Sequence, residues 1–174
     1  MGASMRWLGN RERLVAGLAF LLGLASIGAA LAWQYIGGVI PSELAEQQRL
    51  SYYWGLPILG AALIFWCRLA VPWLYAAMAA VIGAFVWSTY LGFLHAGAEW
   101  GVWPNPVACV EPSDLGFDTA MIGIMPVECN VVQLRIFGLS LAGYNALVSL
   151  AIVLLLVLAL TMRDRSAAIQ PRLR

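Results

Sequence analysis

Cys109 and Cys129, with 19 residues between them, lie in the one long polar stretch of an otherwise strongly apolar chain. A thiol pair placed this way has two chemistries open to it. In an oxidising compartment it closes a disulfide, and as a static staple over a loop of this size the bond would add roughly 3 kcal/mol in the chain-entropy account. If a sulfur stays accessible, the pair can instead exchange with the thiols of another protein, one disulfide opening as the other closes. The third cysteine, Cys67, ends a different apolar run and reads as an unpaired thiol in apolar surroundings.

His95 is the only histidine and stands where an apolar run gives way to the polar stretch. Alone it cannot supply paired axial haem ligands, and no Cys/His/carboxylate cluster has metal-ligand spacing, so neither haem nor a metal centre is expected. Its plainest role is interfacial hydrogen bonding. Arg49 opens another apolar run. It could lie along apolar surface with its guanidinium among headgroups, or it could hydrogen-bond an oxygen-bearing cofactor or a developing anion.

Composition decides which elements carry these residues. With 62% hydrophobic and 11% charged residues and a mean hydropathy of +0.82, the chain reads as an integral membrane protein. At about 1.5 Å per residue, four apolar stretches are long enough for a hydrocarbon core of about 30 Å: residues 14–36, 50–67, 69–94 and 136–162. Backbone groups in lipid must be satisfied internally, so these spans are expected to be helices. The expectation is a single all-α domain over 1–174, a four-helix membrane bundle with a long loop at about 95–134. The first run, though preceded by Arg6, Arg11 and Arg13, is too long for a signal-peptide core and reads as a retained helix.

Charge orients the bundle. Arg6, Arg11, Arg13, Arg68, Arg163, Arg165, Arg172 and Arg174 fall on one side if four spans alternate, which makes that side cytoplasmic and puts both termini inside. Glu43, Glu46, Glu99, Glu111, Asp114, Asp118 and Glu128 fall on the other. Trp33, Trp54, Trp100 and Trp103 suit the interface on that outer side. No basic patch or nucleic-acid motif is present, and the spans hold no ionisable side chain at mid-depth, which disfavours an ion pump or small transporter.

The stretch LGFLHAGAEWGVWPNPVAC (91–109), followed by VEC (127–129) and RIFGLSLAGYNALVSL (135–150), resembles the bacterial disulfide bond formation protein B (DsbB) family. The likeness covers most of the chain and is most specific from His95 to Leu150. It implies a four-helix protein of the inner membrane that oxidises a periplasmic thioredoxin-like dithiol protein and passes the electrons to quinone, either ubiquinone or menaquinone. On that pattern Cys109 and Cys129 form the exchangeable disulfide, while Arg49 and His95 face the quinone.

The first outer loop departs from the family. Members carry a Cys-x-x-Cys there, after a proline and before a Gln-Arg or Glu-Arg pair. Here Pro41 is followed by Ser42, Glu43, Leu44 and Ala45, then by Gln48 and Arg49. Ser42 and Ala45 stand at the two relay-cysteine positions, and neither can form a thiolate or a disulfide. The resemblance therefore implies a quinone-linked thiol oxidoreductase that keeps its partner-facing cysteines and lacks the pair that would relay electrons onward. The alternative is a non-catalytic membrane protein that binds quinone or a periplasmic partner and carries a structural loop disulfide.

Overall fold

The computed structural model describes residues 2–38, 41–104 and 134–169, with side chains described over 11–38, 41–104 and 134–163. Cys109 and Cys129, and the pairing expected of them, lie outside the described residues. Four long helices dominate. α1, Gly2–Tyr35, runs without interruption until the chain turns through Gly37 and Gly38, the latter at φ 67°. α2, Glu43–Ile64, is started by Ser42, whose Oγ accepts a hydrogen bond from the Ala45 amide at 3.4 Å. Glu43 and Glu46 sit in its first turn, where carboxylates suit the positive end of a helix.

α3, Val71–Glu99, opens with Pro72 in its first turn and ends in a paired-amide cap. Gly101, at φ 70°, lets Gly101 N donate to Ala98 O (3.0 Å) and Val102 N to Gly97 O (2.9 Å). The chain then folds back, with Trp103 Nε1 donating to Leu94 O at 2.8 Å and its ring lying against the Cα of Gly97, where a side chain would collide with it. A two-stranded hairpin follows the undescribed segment: β1 (Arg135–Ile136) and β2 (Leu139–Ser140) pair antiparallel through Phe137 and Gly138, both at positive φ as a tight primed turn requires. It leads directly into α4, Leu141–Ile169, whose start is capped by Ser140 Oγ accepting from Gly143 N at 3.2 Å.

Helix boundaries differ from the expected spans in all four helices: α1 begins at Gly2 rather than at residue 14, and the other three differ for local reasons. The second helix starts at Glu43 rather than near residue 50, because the Ser42 cap lets the polar segment ELAEQQR continue the helix, and it ends at Ile64 instead of 67. The third runs on to Glu99, past the expected end at 94, so His95 is helical and not part of the loop. The fourth begins at Leu141 because residues 135–140 form the hairpin. Three helices contain segments long and apolar enough to cross a membrane on their own, Arg11–Tyr35, Val71–Glu99 and Leu141–Arg163. α2 is not among them because its first two turns are polar.

The helices close into a ring in which α1 packs on α2 and α4, and α3 on the same two, with the α1–α2 contact the least extensive. Leu59, Leu74, Met78, Phe85, Ile152 and Leu156 fill the centre and are fully buried. Leu14, Leu18, Trp87, Leu154 and Leu158 point outward and are exposed, an apolar exterior that suits lipid. At one end Arg163 stacks on the Trp66 ring, 5.6 Å from its centroid. At the other, α1 and α2 part around a cavity.

Candidate functional site

Ser42, Ala45 and Arg49 recur at intervals of three and four along α2 and therefore share one helical face. That face looks into a cavity of about 540 Å³, lined by the C-terminal half of α1, the N-terminal halves of α2 and α4, the last turn of α3, and Leu134 and Ile136. His95 and Glu99 line it from α3, and Leu22, Ala25, Ile27 and Val148 supply apolar wall. Ser42, Ala45, Arg49 and His95 thus come together around one space, although they belong to two helices.

Arg49 turns toward α1. Its Nη1 donates to Gln34 Oε1, and its Nη2 lies 3.5 Å from Ala30 O, so α1 holds the guanidinium at the cavity wall. Both α1 partners also line the cavity. Ser42 is buried, and its hydroxyl already caps α2. A residue at this point lies at the positive end of the helix, the environment that lowers the pKa of a thiol.

His95 is buried and held by a hydrogen-bonded chain crossing three helices. Tyr52 OH donates to Asn145 Oδ1 (2.6 Å), Asn145 Nδ2 donates to Gln48 Oε1 (2.7 Å), and Gln48 Nε2 donates to His95 Nδ1 (3.1 Å). Ser88 and Ser149 brace it: Asn145 Nδ2 reaches Ser88 Oγ at 3.2 Å, and Ser149 Oγ donates to Ser88 Oγ at 3.1 Å. With Gln48 Oε1 facing Asn145, its amide nitrogen must face the imidazole. His95 Nδ1 is then an acceptor, and the neutral ring carries its proton on Nε2. On that side stands Glu99, its Oε1 3.8 Å from His95 Nε2.

None of Gln48, Tyr52, Ser88, Glu99, Asn145 or Ser149 was expected from sequence as a site residue. A signal was present: Gln48 and Tyr52, Ser88 and His95, and Asn145 and Ser149 recur at helical intervals within apolar helices, and polar groups there need partners. Among the described residues no group of His, Cys, Asp and Glu could hold a metal ion.

This constellation sits within a sequence that matches the family Disulfide bond formation protein DsbB over residues 12–159. The chain belongs to the DsbB family. No curated protein and no solved structure matches it. Membership makes it a membrane protein of disulfide-bond formation, in a family of protein-disulfide oxidoreductases. The match covers α2 and α3 entirely, most of α1 and α4, and every residue that lines the cavity. In this DsbB-family protein the cavity wall carries Ser42 and Ala45, and no cysteine lines it among the described residues.

Proposed function

We propose that the cavity receives the ring of a quinone, ubiquinone or menaquinone, and that the chain is a quinone-linked thiol oxidoreductase scaffold of the bacterial inner membrane whose relay cysteines are missing. The observation that carries this reading is that one cavity gathers Ser42, Ala45, Arg49 and His95. A quinone is a flat apolar ring with acceptor oxygens at its edges. The cavity offers apolar walls with a guanidinium and an imidazole N–H among them, and its volume of about 540 Å³ falls in the usual range for small-molecule sites. When bound, a quinone supplies an acceptor for two electrons and two protons.

The chain's own residues divide the work. Arg49 and His95 donate to the acceptor's oxygens, and the apolar walls exclude water. Cys109 and Cys129 exchange with a periplasmic thioredoxin-like dithiol protein, which requires the 95–134 side outside and both termini in the cytoplasm. Ser42 and Ala45 stand one helical turn apart, where two thiols would be adjacent and the first would be favoured as thiolate. Without them no thiol lines the cavity among the described residues to relay electrons from Cys109 and Cys129 to the quinone. The same gap supports a second reading: a non-catalytic protein that binds quinone or a partner, with Cys109–Cys129 as a structural disulfide.

The test is titration of the purified protein with a short-chain ubiquinone and, separately, a short-chain menaquinone. Binding by the intact chain and weakening by Arg49→Ala of roughly ten- to a hundred-fold, as expected for loss of a charged hydrogen bond, support the site. Affinity unchanged by Arg49→Ala would remove the quinone from this cavity.

A further inference from the structure

Glu99 is the unexplained group in the cavity. Its side chain is 6% exposed, it lines the cavity, and its Oε2 is buried with no hydrogen-bond partner among the described residues. His95 Nε2 lies 3.8 Å from Oε1, and Ser140 and Arg135 on the hairpin stand near enough to favour the charged carboxylate. A buried carboxylate oxygen left without a donor is costly, and a ligand that brings one relieves that cost.

We propose that Glu99 makes the cavity selective for the reduced, hydroxyl-bearing form of its ligand: the free Oε2 accepts a hydrogen bond from a hydroquinone O–H. The inference rests on the quinone reading above and deepens it. A quinone presents only acceptor oxygens, which a carboxylate oxygen repels; the hydroquinone presents donors at the same positions. Oxidation of a dithiol to a disulfide closes one S–S bond and releases two electrons and two protons, and these convert the two carbonyl oxygens to hydroxyls. Once a relay pair delivers those electrons, as in the protein carrying both Ser42→Cys and Ala45→Cys, tighter binding of the product form draws that transfer forward. A tenfold preference raises the two-electron potential of the bound couple by about 30 mV. Gln48 fixes the His95 ring and so the edge it turns to Glu99 and the cavity.

The experiment measures the affinities of a short-chain benzoquinone and its hydroquinone, by anaerobic calorimetry, for the unmodified protein, Glu99→Gln and Glu99→Ala. The unmodified chain is expected to bind the hydroquinone at least tenfold more tightly than the quinone. Both variants should lose that preference, with hydroquinone binding weakened and quinone binding equal or tighter once the repelling carboxylate is gone, and that surviving quinone binding is the internal measure of folding. An unchanged preference in Glu99→Gln overturns the proposal and leaves the quinone site standing. Equal loss of both ligands in the variants assigns Glu99 a structural role and also overturns it. Failure of the unmodified protein to bind either form overturns the quinone reading itself.

Discussion

Replacing Asn145 by leucine removes the centre of the chain that orients His95, and the cost can be worked from the bonds it makes. Three are lost: from Tyr52 OH, to Gln48 Oε1 and to Ser88 Oγ. At an average of about 0.6 kcal/mol for an interhelical bond in a membrane bundle, three amount to roughly 2 kcal/mol. A count of orphaned groups agrees. Tyr52 keeps Ser149, and Ser88 keeps Ser149 and the Gln48 carbonyl, so Gln48 Oε1 is the group left stranded, at about 1–3 kcal/mol. Gln48→Leu breaks the bonds to His95 and Asn145, about 1.2 kcal/mol on the same average. The double variant counts the shared bond once and strands no Gln48 oxygen, so it should cost less than the sum by about 0.5–2 kcal/mol. Reversible unfolding in matched micelles, read by far-UV circular dichroism for the four proteins, gives the coupling. Additivity within about 0.5 kcal/mol would refute the chain as drawn.

Gly92 lets α3 approach α4: an added Cβ would lie 2.9 Å from Ala146 N and 3.1 Å from Ala142 O, so Gly92→Ala should cost about 1–3 kcal/mol in the same unfolding assay, while Gly83→Ala, with open space around it, should cost nothing measurable. Alkylation without reductant, followed by mass spectrometry, should find Cys109 and Cys129 joined and Cys67 free, and three alkylated thiols in protein kept from reductant would contradict this. An Ala167→Cys variant should be labelled by a membrane-impermeant reagent only after the membrane is opened from the cytoplasmic side, in keeping with the arginine distribution.

The four helices and their apolar exteriors were legible because a long uncharged run has few other uses. Their ends were less so. Hydropathy stops α3 at residue 94, where His95 and Glu99 begin to dilute the apolar run, yet the helix continues until Gly101 can adopt the positive φ that caps it. Hydropathy likewise misses the start of α2, where Ser42 and two carboxylates favour a helix that no apolar pattern announces. The resemblance drew Ser42, Ala45, Arg49 and His95 to attention, but their common cavity depends on how α1 and α2 part, which is tertiary. The Tyr52–Asn145–Gln48–His95 chain was hidden for the same reason. Each member has a plain alternative as a scattered polar residue, and only the packing of α2, α3 and α4 brings their donors and acceptors into register.

The most direct test of the central claim is steady-state reduction of a short-chain quinone by a thioredoxin-like dithiol partner, followed by absorbance in matched detergent. Four proteins are compared: the unmodified chain, Ser42→Cys, Ala45→Cys, and the two substitutions together. Only the double variant should turn over, because a single thiol cannot close the local disulfide and the remaining frame, with Arg49 held by Gln34, is already in place. Sustained turnover by the unmodified chain would contradict the account, since electrons would then be reaching quinone without a thiol at either position.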